Sequence, residues 1–142
     1  MSKQGYIEAV NYFLDVISQI RAVQWDDPCL GVWTVRDVVG HAGRAITLVE
    51  EFGVQRAESL DIRSAAEHYH VSLAPKDIDT AIADRGREAG RGLGNDPVAT
   101  LQAAWRSAQT IAEETPDSTV ISYTNGGIRL GDYLDTRILE LV

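Results

Sequence analysis

From position 34 to position 52 apolar side chains return every three or four residues: Val35, Val38, Val39, Ala42, Ala45, Ile46, Val49 and Phe52. That spacing lays them along one face of a helix, a stripe that stays out of water only if another element covers it. Two more stretches carry the same demand. Over 6–20 the apolar positions are Tyr6, Val10, Phe13, Leu14, Ile17 and Ile20, with Glu8, Asn11, Asp15, Ser18 and Gln19 left for solvent. Over 98–112 they are Val98, Leu101, Ala104, Trp105, Ala108, Ile111 and Ala112. A last helix from about Leu130 turns Leu134, Ile138 and Leu141 inward. One-sided helices in a chain of 142 residues cover their stripes by packing on each other. The expected fold is therefore all-α, a single domain over 1–142: an antiparallel four-helix bundle with helices near 5–23, 34–53, 96–115 and 130–142.

The ends of these helices carry their own signals. Thr34 is placed to cap the second helix, with Asp37 three residues later to complete a capping box. Asn95 or Asp96 can cap the third, with Pro97 in its first turn. Asp26, Asp27, Pro28 and Gly31 supply turn chemistry, and Trp25 and Trp33 are expected to bracket that loop by packing back on the bundle. In the 55–95 connection the periodicity weakens. It predicts short additional helices over 59–69 and 75–90, the second starting at Pro75 and stopped by Gly90, Gly92 and Gly94. Residues 119–123 are β-prone ahead of Asn125, Gly126 and Gly127, which suits a short extended segment or hairpin arm. The final helix meets no glycine or polar tail before Val142, so the parent chain is expected to continue.

Twenty-one acidic against thirteen basic residues give a formal charge of −8, a surface that repels phosphate backbones and argues against nucleic acid as a partner. The opening MSKQGYIEAVNYF has no basic start followed by an unbroken apolar run, and no later stretch approaches the roughly 20 apolar residues of a membrane span. A cytoplasmic protein with no membrane partner is expected. The single cysteine, Cys29, excludes an internal disulfide and any cysteine-rich metal site. It sits beside Pro28 in a turn with no nearby His or Lys to activate it, so a structural thiol is the better reading. Any metal would have to use His and carboxylates.

His41 lies at the edge of the second helix's stripe, where position alone favours a hydrogen-bonded boundary residue over a ligand. Glu140 flanks the stripe of the last helix, and an exposed pair with Arg137 worth about 0.3 kcal/mol is the better reading of it from position alone. Glu67, His68 and His70 form a compact cluster, but on a helix His68 and His70 point roughly 200° apart, so joint ligation would need extended backbone. Arg85, Arg87 and Arg91 could draw a substrate carboxylate or could simply form a solvated basic face.

The stretch DDPCLGVWTVRDVVGHAGRAITLVEEF, through Pro28, Cys29, Gly31, Trp33, Thr34, Val35, Arg36, Asp37, Val38, Val39 and His41, resembles the mycothiol-dependent maleylpyruvate isomerase family. That family is a branch of the DinB-like metal-binding four-helix bundles. The ending GDYLDTRILELV is similar to the family's last bundle helix, where a Glu is followed four residues later by a His. The resemblance implies that His41 and Glu140 match two of three metal ligands, the third falling two residues beyond Val142. It implies a divalent metal, zinc first, a mycothiol-type thiol cofactor, and an isomerase or transferase acting on a small molecule. If it holds, His41 and Glu140 should approach each other across the bundle. Two other readings stay open: a metal-free small-molecule-binding bundle of the same fold, and a dimerisation module that pairs with a second copy to make a homodimer.

Overall fold

A computed structural model describes residues 2–142. Six α-helices carry the chain: α1 (Ser2–Ile17), α2 (Val35–Phe52), α3 (Ala65–Ser72), α4 (Ile78–Gly92), α5 (Pro97–Glu114) and α6 (Leu130–Leu141). Two antiparallel hairpins are threaded between them, β1 (Pro28–Leu30) with β2 (Trp33–Thr34), and β3 (Val120–Tyr123) with β4 (Gly126–Arg129). The protein is thus mainly helical with two small sheets.

The capping chemistry sets α2 where it starts. The Thr34 hydroxyl accepts from the Asp37 amide and the Asp37 carboxylate accepts from the Thr34 amide, so two otherwise orphaned donors are satisfied. On α5 the Asp96 carboxylate accepts from the Ala99 amide, and Pro97 loses nothing by having no N–H at the first position. α1 packs on α5 and α6, while α2 packs on α4, α5 and α6. Tyr6, Val10, Ile46, Val49, Leu101, Ala108, Leu130 and Leu134 are wholly buried between them. Each large apolar side chain so enclosed contributes about 1.5–3 kcal/mol. The Tyr6 hydroxyl, buried with them, donates to the Ala45 carbonyl at 2.7 Å. No helix among the described residues is long and apolar enough to cross a membrane.

Several elements differ from expectation. The first helix ends at Ile17, short of position 23, and a 3₁₀ turn (Ala22–Gln24) follows, because the Val16 and Ile17 carbonyls are taken by tightened three-residue turns from the Gln19 and Ile20 amides. The loop after it is an irregular hairpin rather than a plain turn, with Gly31 at φ 55 in the left-handed region that glycine tolerates. Trp25 is buried as expected, whereas the ring of Trp33 leans on α4, its indole N–H donating to the Ala83 carbonyl. The first short helix begins at Ala65, six residues later than expected, since the Ser64 hydroxyl caps it by accepting from the Glu67 amide.

The second short helix forms close to its expected place, as α4. It is fifteen residues long and lies along α2, made possible by a glycine contact: a Cβ on Gly40 would collide with the Gly90 backbone. The β3–β4 hairpin forms as a paired unit in register from Val120 with Arg129 to Tyr123 with Gly126. The 55–62 segment holds it in place. Ala57 N–H donates to Val120, Asp61 and Ile62 N–H donate to Gly127, and the Gly127 amide donates to the Asp61 carboxylate at 2.8 Å. β4 runs directly into α6, so the hairpin and the last helix form one continuous stretch.

Candidate functional site

Where α2, α3, α4, α6 and the tip of the β3–β4 hairpin converge, they leave a cavity of about 400 Å³. His41 and Arg44 come from α2, His68 and Tyr69 from α3, Arg85 from α4, Tyr123 and Asn125 from the hairpin, and Tyr133, Arg137 and Glu140 from α6. Leu48, Phe52, Ile78, Ala81 and Ile82 supply an apolar wall. That mixture of apolar surface and a few convergent polar groups is what a small-molecule site requires.

His41 and Glu140 meet on the cavity wall with Nε2 and Oε2 3.4 Å apart, each side chain a little under one-third exposed. The Trp33 ring lies 4.9 Å from the His41 imidazole, centroid to centroid, and fixes its plane. The Glu140 carboxyl titrates below the usual carboxylate range, first because His41 hydrogen-bonds to it, with the Arg137 charge helping and burial opposing. Tyr69 donates its hydroxyl to the Thr136 carbonyl at 2.8 Å and lies 3.4 Å from the other Glu140 oxygen. Burial, reinforced by the Glu140 charge, pushes the Tyr69 phenol up to about 12.

The donor set and its spacing suit part of a metal site. Two ligands about 2.0 Å from a tetrahedral zinc stand roughly 3.3 Å apart, which is close to the His41 to Glu140 separation. Among the described residues, however, no group of three His, Cys, Asp or Glu side chains lies close enough together to hold an ion. The His41 Nδ1 is buried without a hydrogen-bond partner, whereas a ligating histidine usually donates that N–H to a carbonyl or carboxylate.

Three guanidinium groups, Arg44, Arg85 and Arg137, face the cavity against two carboxylates, Asp77 and Glu140. None of the three arginines is in an ion pair among the described residues. Burial first, and then the neighbouring Arg85 charge, lowers the Arg44 pKa, the mark of a cation short of counter-charge. Arg137 is buried, stacks over Tyr133 at 5.1 Å and donates to the Thr136 hydroxyl. Such a set favours an anionic ligand.

Of the residues singled out from sequence, the structure brings His41, Glu140, Arg85 and His68 to this cavity. It does not bring Arg87, whose guanidinium lies 2.7 Å from Asp84 on the exposed side of α4. Cys29 is exposed on β1. Glu67, His68 and His70 lie on α3, so they diverge: Glu67 accepts from the Arg63 amide, and His68 is buried in a hydrogen-bonded chain. In that chain His68 Nδ1 is 2.9 Å from the Tyr123 hydroxyl and Nε2 is 3.4 Å from an Arg137 nitrogen. Burial, with the Arg137 charge, lowers the His68 pKa to about 4. Arg44, Tyr69 and Tyr123 escaped the sequence reading, and Arg137, expected as an exposed partner of Glu140, is instead buried and in no ion pair among the described residues. The Tyr133, Arg137 and Glu140 spacing on one helix face was the available signal for Arg137.

The chain matches the family model described as the mycothiol maleylpyruvate isomerase N-terminal domain over residues 8–142. Among curated proteins and among solved structures, none matches it.

Proposed function

The chain belongs to the mycothiol maleylpyruvate isomerase N-terminal domain family, and on that premise we propose that its cavity is the seat of a metal- and thiol-dependent isomerase or S-transferase of small carboxylates. The observation that carries the reading is the His41 and Glu140 pair, 3.4 Å apart on the wall of a cavity rich in unpaired arginine. In this reading α1, α2, α5 and α6 are the four helices of a DinB-like antiparallel bundle, with α3 and α4 as additions to the long connection.

His41 and Glu140 would supply two of the ligands to a divalent ion, zinc first. When bound, the ion supplies Lewis acidity that deprotonates a coordinated thiol, a group otherwise titrating near about 8.5. The chain's own residues do the rest. Arg85 and Arg44 hold the substrate carboxylate, Trp33 keeps the His41 ring in plane, and Leu48, Phe52 and Ile78 exclude water from the reacting end. A thiol held there would supply the nucleophile for reversible addition to an activated double bond, and these residues would hold the substrate while that bond changes geometry. The charge balance and the absence of a long apolar helix support a cytoplasmic setting.

A second reading, a metal-free small-molecule binder of the same fold, is favoured by one observation: the His41 Nε2 and Glu140 Oε2 already lie within ion-pair distance of each other. Metal analysis separates the two. Protein isolated without chelators and carrying near-stoichiometric zinc, lost in His41→Ala, supports the enzyme. Metal-free protein that binds maleate with unchanged affinity in His41→Ala supports the binder. Sizing of the same samples by light scattering tests the homodimer.

A further inference from the structure

The chain of contacts Arg137, His68, Tyr123 runs from the middle of α6 to the hairpin tip and is buried along its length. A guanidinium has donors only, so the imidazole nitrogen facing it, Nε2, must be the bare acceptor. The His68 ring is neutral, because burial and the Arg137 charge both oppose a second proton. A neutral ring with a bare Nε2 carries its proton on Nδ1. The group 2.9 Å from Nδ1 is the Tyr123 hydroxyl, which therefore receives a hydrogen bond from His68. The Tyr123 oxygen is committed in this way, with the Asn125 amide also directed at it, while its own proton has no acceptor among the described residues, and Tyr123 lines the cavity.

We infer that Tyr123 is a ligand-binding residue, an obligatory hydrogen-bond donor to an acceptor oxygen of the bound small molecule, with His68 and Arg137 as the positioning residues that fix the direction of its proton. The inference rests on the reading of this cavity as the ligand site. It adds what that reading leaves open, namely which uncharged group selects the ligand. A site whose phenol must donate accepts a carboxylate or carbonyl oxygen at that point and rejects an amide or hydroxyl turned the wrong way. Leaving such a donor without an acceptor costs as much as losing the bond. Burial first, eased by the neighbouring Asn125 amide, raises the Tyr123 pKa, so the phenol keeps its proton at neutral pH and serves as a donor, not as a base.

Two measurements test this. Nitrogen NMR of the unaltered protein with labelled histidine reads the His68 tautomer directly. Protonated Nδ1 with bare Nε2 is expected at neutral pH, and the opposite tautomer overturns the inference whatever the ligand proves to be. Calorimetric titration of maleate into variants reads the consequence. Tyr123→Phe should weaken maleate about tenfold, the usual effect of removing a hydrogen bond to a charged acceptor. His68→Leu should weaken it to a similar degree, and adding Tyr123→Phe to His68→Leu should cost nothing further. His68→Asn, whose amide nitrogen falls near the position of Nδ1, should restore affinity to within about threefold. Maleate binding unchanged in Tyr123→Phe, or lost equally in His68→Asn and His68→Leu, overturns it. If maleate fails to bind the unaltered protein, the carboxylate reading of the cavity falls, and the tautomer alone decides the role of Tyr123.

Discussion

His41 on α2 and Glu140 on α6 hold their Nε2 and Oε2 atoms 3.4 Å apart, joining on one cavity wall two helices that α3, α4, α5 and a hairpin separate along the chain. Two protein donors are one short of the three that catalytic zinc sites generally provide. Zinc titrated calorimetrically into the 142-residue chain should therefore bind weakly. A chain extended by two residues, the second a histidine, should bind at least tenfold more tightly, and His41→Ala in that longer form should return it to the weak value with helix content unchanged. Equal affinity in all three would show that this pair is not the metal site.

Arg85 and Arg87 are two residues apart and should behave differently. Arg85 faces the cavity, whereas Arg87 is spent on Asp84 at the surface. Arg85→Ala should weaken maleate by about tenfold, as expected for a lost charge-assisted bond, while Arg87→Ala should leave affinity within experimental error. Both effects are read by the same titration, and the Arg85 contribution should shrink as salt is raised.

Acid should destabilise the protein before its carboxylates titrate. His68 has its pKa lowered from 6.5 to about 4, so as pH falls through 6.5 the unfolded chain takes up a proton that the folded state refuses. The stability tied to neutral His68 is full above about pH 6.5 and is lost progressively down to about pH 4. Between pH 7 and pH 5 the loss should be about 2 kcal/mol in urea unfolding. His68→Asn should remove most of that slope. The depressed Glu140 carboxyl acts in the same direction, but at a lower pH.

Two glycines of the same helix pair should respond with opposite signs to alanine. Helix propensity alone favours alanine over glycine by up to about 1 kcal/mol. At Gly40 the new methyl would strike the Gly90 backbone, and overpacking of that kind costs about 1–3 kcal/mol, so Gly40→Ala should lower the melting temperature by several degrees. At Gly92 nothing lies within reach of the added carbon, and Gly92→Ala should leave the melting temperature equal or higher.

The long helices were legible because each carries its whole signal locally, a stripe every three or four residues and a capping residue at its start. Thr34 with Asp37, and Asp96 with Pro97, set α2 and α5 without help from the rest of the chain. α4 was read as minor because its stabilising contact is a glycine against a glycine, and glycine carries no periodic apolar mark. Ser64 followed three residues later by Glu67 marked the true start of α3, a pattern overshadowed by the nearby histidines. At the site, His41 and Glu140 were reached through likeness to a family and Arg85 through charge. Arg44, Tyr69 and Tyr123 were not, and Arg137 was named only as an exposed partner of Glu140, since what makes them a group is the convergence of four elements. Nothing in their neighbouring residues records it.

The position of α4 bears on how such a protein can diversify. The His41 and Glu140 pair belongs to helices whose apolar faces make the core, so change there is felt by the whole fold. Arg85 and the apolar wall around Ile78 and Ile82 belong to a helix laid against α2 from outside, joined at each end by a short loop and seated on glycine. The cavity-facing positions of this helix, Ile78, Ile82 and Arg85, can thus change with little demand on the core, provided Gly86 and Gly90 keep their close seats against Trp33 and Asp37. Descendants of this chain could inherit one chemistry and acquire new substrates by altering one side of a single wall.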